Sequence, residues 1–305
     1  MSITAFNLIV LSILMHSLWH FLCKSSGKAS MAFFALFSTS LFLTMLPIGI
    51  SSGLIGTIPF SILKFAFIGG ISGLICDIGL IYAYRHCDIS LAYPMARALP
   101  VFFTMLATTL FGWGKSLTIL AIAGMIIIFI GCLIMAFSNG PKDIVIKDKL
   151  EILKKGLLGI LIAACGTTAY TIVDKFGVDA MVKFAPDTNK LQVAGTYSCV
   201  REFFAMSSMW TIVLILKIRG KEQGYLSSLV KQYHPYIAGI FAALAYFLIL
   251  VAMSEVTNVS FVQAFRQLSL PLSAFLGLLL LKEKITAIRW IALTLIMVGL
   301  GLSVL

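Results

Sequence analysis

Residues 89–113 read ISLAYPMARALPVFFTMLATTLFGW, and residues 258–283 read NVSFVQAFRQLSLPLSAFLGLLLLKE. Each stretch opens on a short polar turn and sets one arginine, Arg97 or Arg266, about eight residues into an otherwise apolar run. A proline, Pro100 or Pro271, follows three to five residues later, and each stretch ends at a small charged loop. At a spacing of 169 residues Arg97 falls on Arg266, Lys115 on Lys284 and Asp77 on Tyr246. Identities are few, so the likeness is one of pattern. A duplicated apolar unit with a buried cation in each copy is the form expected of an internally repeated membrane transporter.

The rest of the chain has the same character. Sixty per cent of the 305 residues are hydrophobic, 11% are charged and the mean hydropathy is +1.03, outside the range of soluble domains and indicative of a polytopic membrane protein. Lys24 is the first basic residue, so the amino terminus lacks the basic region of a cleaved signal peptide, and the first apolar segment is expected to remain as a spanning helix. The six cysteines are scattered without paired spacing and read as small buried residues, not as disulfides or metal ligands. The net charge of +11 comes largely from lysines in short loops, which is the ordinary orientation signal of membrane proteins and not a nucleic-acid footprint.

A hydrocarbon core of about 30 Å takes about 20 apolar residues per helix. Ten candidates follow: roughly 4–23, 30–49, 62–84, 89–111, 116–138, 155–175, 192–216, 235–254, 258–281 and 285–304. Pro47, Gly49, Gly53, Gly56 and Pro59 mark a turn in the otherwise uncharged run between Lys28 and Lys64. The polar interval 139–155 divides the chain into a first repeat, 1–138, and a second, 156–305. Five helices per half is an odd number, so the halves enter the membrane in opposite directions. The expected fold is therefore an all-α membrane protein with ten transmembrane helices in two inverted five-helix repeats. Loops on one side carry fourteen lysines and arginines against five elsewhere, which places both termini outside the cytoplasm.

These features resemble the EamA-type members of the drug/metabolite transporter superfamily. The most specific likeness is at residues 271–286, where Pro271, Gly277, Glu283 and Thr286 match the proline, small, acidic and polar positions of that family's second repeat. The corresponding loop of the first repeat, GWGKSLT, departs from the pattern, with Lys115 and no acid. The resemblance implies movement of a small metabolite, such as an amino acid or a related compound, across the cytoplasmic membrane.

An ionised side chain at bilayer depth costs about 2.5 to 3.5 kcal/mol on insertion scales, so it faces a cavity or a partner. Arg97, Arg266, Arg201, Asp77 and Glu202 are placed in this way. Two readings are open. In one they line a substrate cavity, with Asp77, Glu202 and His16 as proton or ion carriers. In the other Arg97 pairs with Asp77, and Arg201 or Arg266 with Glu202, to hold helices together. Three arginines against two acids leave a surplus cation, which favours a carboxylate or phosphate on the substrate.

Trp19, Tyr170, Tyr246 and Gln263 are further candidates for the substrate site, whereas Tyr82, Tyr84 and Tyr93 read as interfacial belt residues. His16 and His20, one turn apart, are either a proton relay or polar contacts between helices. No phosphate cradle, zinc-protease signature or nucleophile elbow is present, so no enzyme, cofactor or metal is expected. The expected function is secondary transport by alternating access, with a small-molecule substrate, surrounding lipid, possible proton or ion coupling, no nucleic acid, and a monomer or homodimer as the assembly. The alternatives are a non-transporting membrane subunit of a lipid-carrier flippase and, less well matched because the first helix holds His16 and no acid, a multidrug proton antiporter.

Overall fold

The computed structural model describes residues 3–25, 30–87, 89–138, 146–221, 225–272 and 286–304. Among these there is no strand. A spanning chain must satisfy its backbone N–H and C=O groups internally, and a helix does so within one segment. In chain order the helices are α1 (Ile3–Ser25), α2 (Met31–Ser51), α3 (Phe60–His86), α4 (Ile89–Leu110), α5 (Ile119–Ser138), α6 (Ile146–Phe184), α7 (Lys190–Ile218), the short α8 (Tyr225–Leu229), α9 (His234–Met253), α10 (Val259–Phe265) and α11 (Ala287–Val304).

Seven are long and apolar enough to cross a membrane: α2, α3, α5, α6 from Leu153, α7, α9 and α11. Of the other three expected spans, α1 and α4 contain the shorter apolar stretches Ile3–Trp19 and Pro94–Leu110. The span expected at 258–281 begins as α10, and its later part lies outside the described residues, as does most of the 271–286 motif.

The surface is inverted relative to a soluble protein. Leu43, Phe60, Ile119, Leu158, Leu214 and Ile291 are exposed, while Arg97, Asp174, Arg201, Glu202, Arg266 and Gln267 are buried. Exposed apolar residues in this number would aggregate in water and are at home in lipid. This is an integral membrane protein.

The packing uses small residues where backbones approach. A Cβ on Gly159 of α6 would come within 2.6 Å of the Gly79 carbonyl of α3, and one on Gly299 of α11 within 2.6 Å of the Gly124 carbonyl of α5. Close backbone approach of this kind supplies van der Waals contact between helices in a solvent that gives no hydrophobic drive. Contacts join α3 to α6 and α7, α1 to α9, α2 to α7 and α9, α4 to α5, α6 and α10, and α5 to α11.

Two expected boundaries move. Pro47 and Gly49 lie within α2, and the turn falls after Ser51, where Gly53 adopts φ 68° before a 3-10 turn at Ile55–Thr57. The polar interval 139–155 is not all loop, because α6 begins at Ile146. Lysine and glutamate are good helix formers, and Lys154 bonds Glu151 one turn earlier at 2.7 Å.

Candidate functional site

A cavity of ≈ 150 Å³ lies among α1, α2, α3, α4, α6, α7, α9 and α10. One water needs about 10–15 Å³ on this measure, so the space suits a small metabolite. All ten residues singled out from the sequence line it. The amino-terminal half contributes His16 and Trp19 of α1, Asp77 of α3 and Arg97 of α4. The second half contributes Tyr170 of α6, Arg201 and Glu202 of α7, Tyr246 of α9, Gln263 of α10 and Arg266 just beyond it.

The helical order gives way at Arg266. After Phe265 the chain tightens into a 3-10 turn, Arg266–Leu268. Arg97 Nη2 donates to the Arg266 carbonyl at 2.6 Å, and Gln267 Nε2 donates back to the Arg97 carbonyl at 3.3 Å. Arg266 Nη1 donates to Gln263 Oε1 at 3.3 Å, which is the contact expected of residues three apart on one face. His16 sits between two donors, with Trp19 Nε1 at 2.9 Å from its Nδ1 and Arg97 Nη1 on its Nε2. A neutral imidazole accepts at one nitrogen only and a protonated one at neither. The two contacts therefore cannot both persist, and a change at His16 is felt by Arg97.

Arg201 is held very differently. Its Nε donates to Asp174 Oδ2 at 2.8 Å, its Nη1 donates to Glu202, and its guanidinium lies over the rings of Tyr170 and Tyr246 at 5.2 and 4.7 Å. Asp174 also accepts from Tyr197 at 2.8 Å and from Tyr246 at 2.6 Å, and it is fully buried. Asp77, by contrast, makes no hydrogen bond or ion pair among the described residues. The expected Arg97–Asp77 pair is therefore absent, while the expected Arg201–Glu202 pair is present.

Asp174 is the residue that sequence reasoning missed. The span expected at 155–175 puts Asp174 at the interface, but α6 runs on to Phe184 and leaves it well inside the helix. Its place four residues after Tyr170, on the same helix face, was the available signal. With Asp174 counted, three arginines meet three acids, and the surplus cation disappears when all three acids are ionised. Gln267 also lines the cavity and was not singled out. The His20 side chain lies outside the described residues.

Comparison with known proteins places this bundle in a wider group. The family described as "Sugar transport protein" matches residues 21–305, most of the chain. The chain belongs to the sugar transport protein family. This is a drug/metabolite-transporter-like family, and the match does not extend to EamA specifically. A solved structure described as "Crystal structure of protein" superimposes with a TM-score of 0.66 at 15% identity, covering 98% of this chain and 96% of that one, a likeness of fold alone. No curated protein matches the sequence. For a member of the sugar transport protein family, a cavity bordered by eight helices and carrying buried charged groups is the natural place for a solute.

Proposed function

We propose that this protein is a secondary transporter that moves a small polar solute, most favourably an uncharged sugar or polyol, across the cytoplasmic membrane by alternating access. The single observation that carries the reading is the cavity, set among helices of both halves. The family description supports the solute class, as does the charge balance of the walls. Trp19, Tyr170 and Tyr246 offer flat apolar faces, and Gln263, Gln267 and Ser12 offer uncharged hydrogen bonds. We assign substrate binding to Arg97, Arg266, Trp19, Tyr170, Tyr246 and Gln263, and ion or proton coupling to Asp77 and His16; Arg201 acts on the solute only through the Tyr170 and Tyr246 rings beside it, and Glu202 only as its partner.

The contact pattern supports two inverted five-helix repeats. Exchange α1 to α5 in order with α6, α7, α9, α10 and α11. The α3–α6 contact then becomes α9–α1, and α2–α9 becomes α7–α3, while α2–α7, α4–α10 and α5–α11 map onto themselves. An EamA-like arrangement accounts for this order of packing.

At one end the halves are joined by a clasp. Lys115 N–H donates to the Thr257 carbonyl at 3.1 Å, Asn258 Nδ2 donates to the Lys115 carbonyl at 3.0 Å, and Thr108 and Ser260 share a hydrogen bond of 2.8 Å. Arg97 sits thirteen residues before Leu110, about 20 Å along the axis from this end. Alternating access requires that the clasp open. Cysteines placed at Lys115 and Thr257 and joined by oxidation or a short bis-thiol linker are expected to stop solute uptake into proteoliposomes, and reduction of the disulfide is expected to restore it. Undiminished uptake by the fully joined protein would exclude the rocking mechanism.

A carboxylate-bearing solute such as an amino acid is the second reading. The favouring observation is Asp77, whose unbonded carboxylate leaves the cavity with one net positive charge whenever it is protonated.

A further inference from the structure

The two halves hold their matched arginines unequally. Arg97 of the first half donates to the Arg266 carbonyl at 2.6 Å, a short bond of the charge-assisted kind. Arg266 of the second half donates to its own neighbour, Gln263, at 3.3 Å, while the Arg97 carbonyl is taken by the neutral amide of Gln267, also at 3.3 Å. The backbones differ in the same place. α4 runs through Arg97 without a break, whereas α10 stops at Phe265 and Arg266 begins a 3-10 turn.

The 169-residue spacing makes Arg97 and Arg266 counterparts, so two equivalent positions are held in two conformations. Inverted halves that differ in this way with the clasp shut reach the opposite-facing arrangement when each takes up the conformation of the other. α4 is built to allow the change. Pro94 and Pro100 flank Arg97 within it, and Pro100 has no N–H to give to the Ala96 carbonyl, so the helix is short of a bond one residue before Arg97. A 3-10 stretch of the kind now seen at Arg266 commonly marks a hinge.

We propose that Arg97 and Arg266 exchange roles in each transport cycle: with the clasp shut Arg97 is fastened to the Arg266 carbonyl, and with it open Arg266 is fastened to the Arg97 carbonyl. This rests on the alternating-access reading of two inverted halves given above. Gln267 is the positioning residue of the exchange, since it occupies the carbonyl that Arg266 must take. Its bond is neutral and long, and a guanidinium displaces it with a stronger one. Both arginines border the cavity, which ties the exchange to the solute, because a solute that bonds them weights one state against the other.

The test reads how often the clasp parts. Ser260 and Thr108 bond each other there and are only 1% and 3% exposed, so Ser260→Cys meets a water-soluble maleimide only when the clasp opens. Its labelling rate in purified full-length protein, measured by mass spectrometry of the peptide that carries it, follows the open fraction. Arg97→Ala removes a bond of the shut state, and labelling is expected to rise about tenfold, the scale of one hydrogen bond to a charged group. Arg266→Ala removes the matching bond of the open state and only the longer one to Gln263 in the shut state, so labelling is expected to fall severalfold. Gln267→Ala should raise it by less than Arg97→Ala does, and it supplies the comparison if Arg97→Ala does not fold. Combining Arg97→Ala with Arg266→Ala should return the rate towards wild type, whereas two independent losses of packing would both loosen the clasp and would add. Arginine variants that do not shift the rate in opposite directions would overturn the exchange and leave the transporter reading standing. Ser260→Cys and Thr108→Cys that both stay unlabelled, in wild type and in every variant, would mean a clasp that never parts and would remove alternating access and this inference together.

Discussion

The two sides of the cavity treat charge in opposite ways. Where α6, α7 and α9 meet, every charged group has a charged partner: Arg201 serves Asp174 and Glu202, and Asp174 accepts from two tyrosines as well. Where α1, α3, α4 and α10 meet, Arg97 bonds an imidazole and a backbone carbonyl, Arg266 bonds an amide, and Asp77 bonds nothing among the described residues. Both sides sit in the same membrane and line the same space. The difference separates charges that hold helices from charges that a solute or proton can reorganise, since an equilibrium shifts only where the two states differ in interaction energy.

The largest effect is expected on the paired side. Arg201→Ala would leave two buried carboxylates without their cation, a change of the kind that costs about 3 to 5 kcal/mol. We expect little folded protein in detergent, measured by size-exclusion chromatography and thermal unfolding. Adding Asp174→Ala to Arg201→Ala should recover part of the loss. A single variant as stable as wild type would show that this side carries no structural load.

The next effect belongs to the other side and should appear in transport and not in folding. Arg97→Ala and Arg266→Ala are each expected to abolish solute uptake in proteoliposomes while melting close to wild type. Uptake at the wild-type rate in both would remove these residues from the site, and unfolding of both would erase the contrast between the sides.

Much of this contrast is legible in the sequence because an ionised side chain within an apolar run is conspicuous at any depth. Arg97, Arg201, Glu202, Arg266 and Asp77 announce themselves by composition alone, and the 169-residue spacing joins Arg97 to Arg266, which do meet in space. What is not legible is partnership. Charge matching pairs Arg97 with Asp77, yet its neighbours are His16 and the Arg266 carbonyl, because pairing depends on the rotation of each helix about its axis, and apolar runs without a strong polar face leave that rotation unspecified. Asp174 is hidden for another reason. A length rule measures the hydrocarbon core, whereas α6 continues for nine residues past the expected end. The helical start at Ile146 is obscured in the same way, by equating polar with loop.

The smallest effect distinguishes two hydroxyls that look alike. Tyr197 and Tyr246 each donate to Asp174, at 2.8 and 2.6 Å, so Tyr197→Phe and Tyr246→Phe each remove one hydrogen bond to a charged group. Such bonds contribute about 1.5 to 3 kcal/mol, and the two variants should lose similar stability in thermal unfolding. Their surroundings differ, however. Tyr197 is buried at the back of the network, while Tyr246 lines the cavity and lies under the Arg201 guanidinium. Only Tyr246→Phe is therefore expected to weaken solute binding, through a ring freed to tilt into the cavity, and the readout is the KM of uptake compared between the two variants. Equal KM values in variants of equal stability would mean that the paired side is scaffold throughout and that recognition lies wholly with the residues around Asp77.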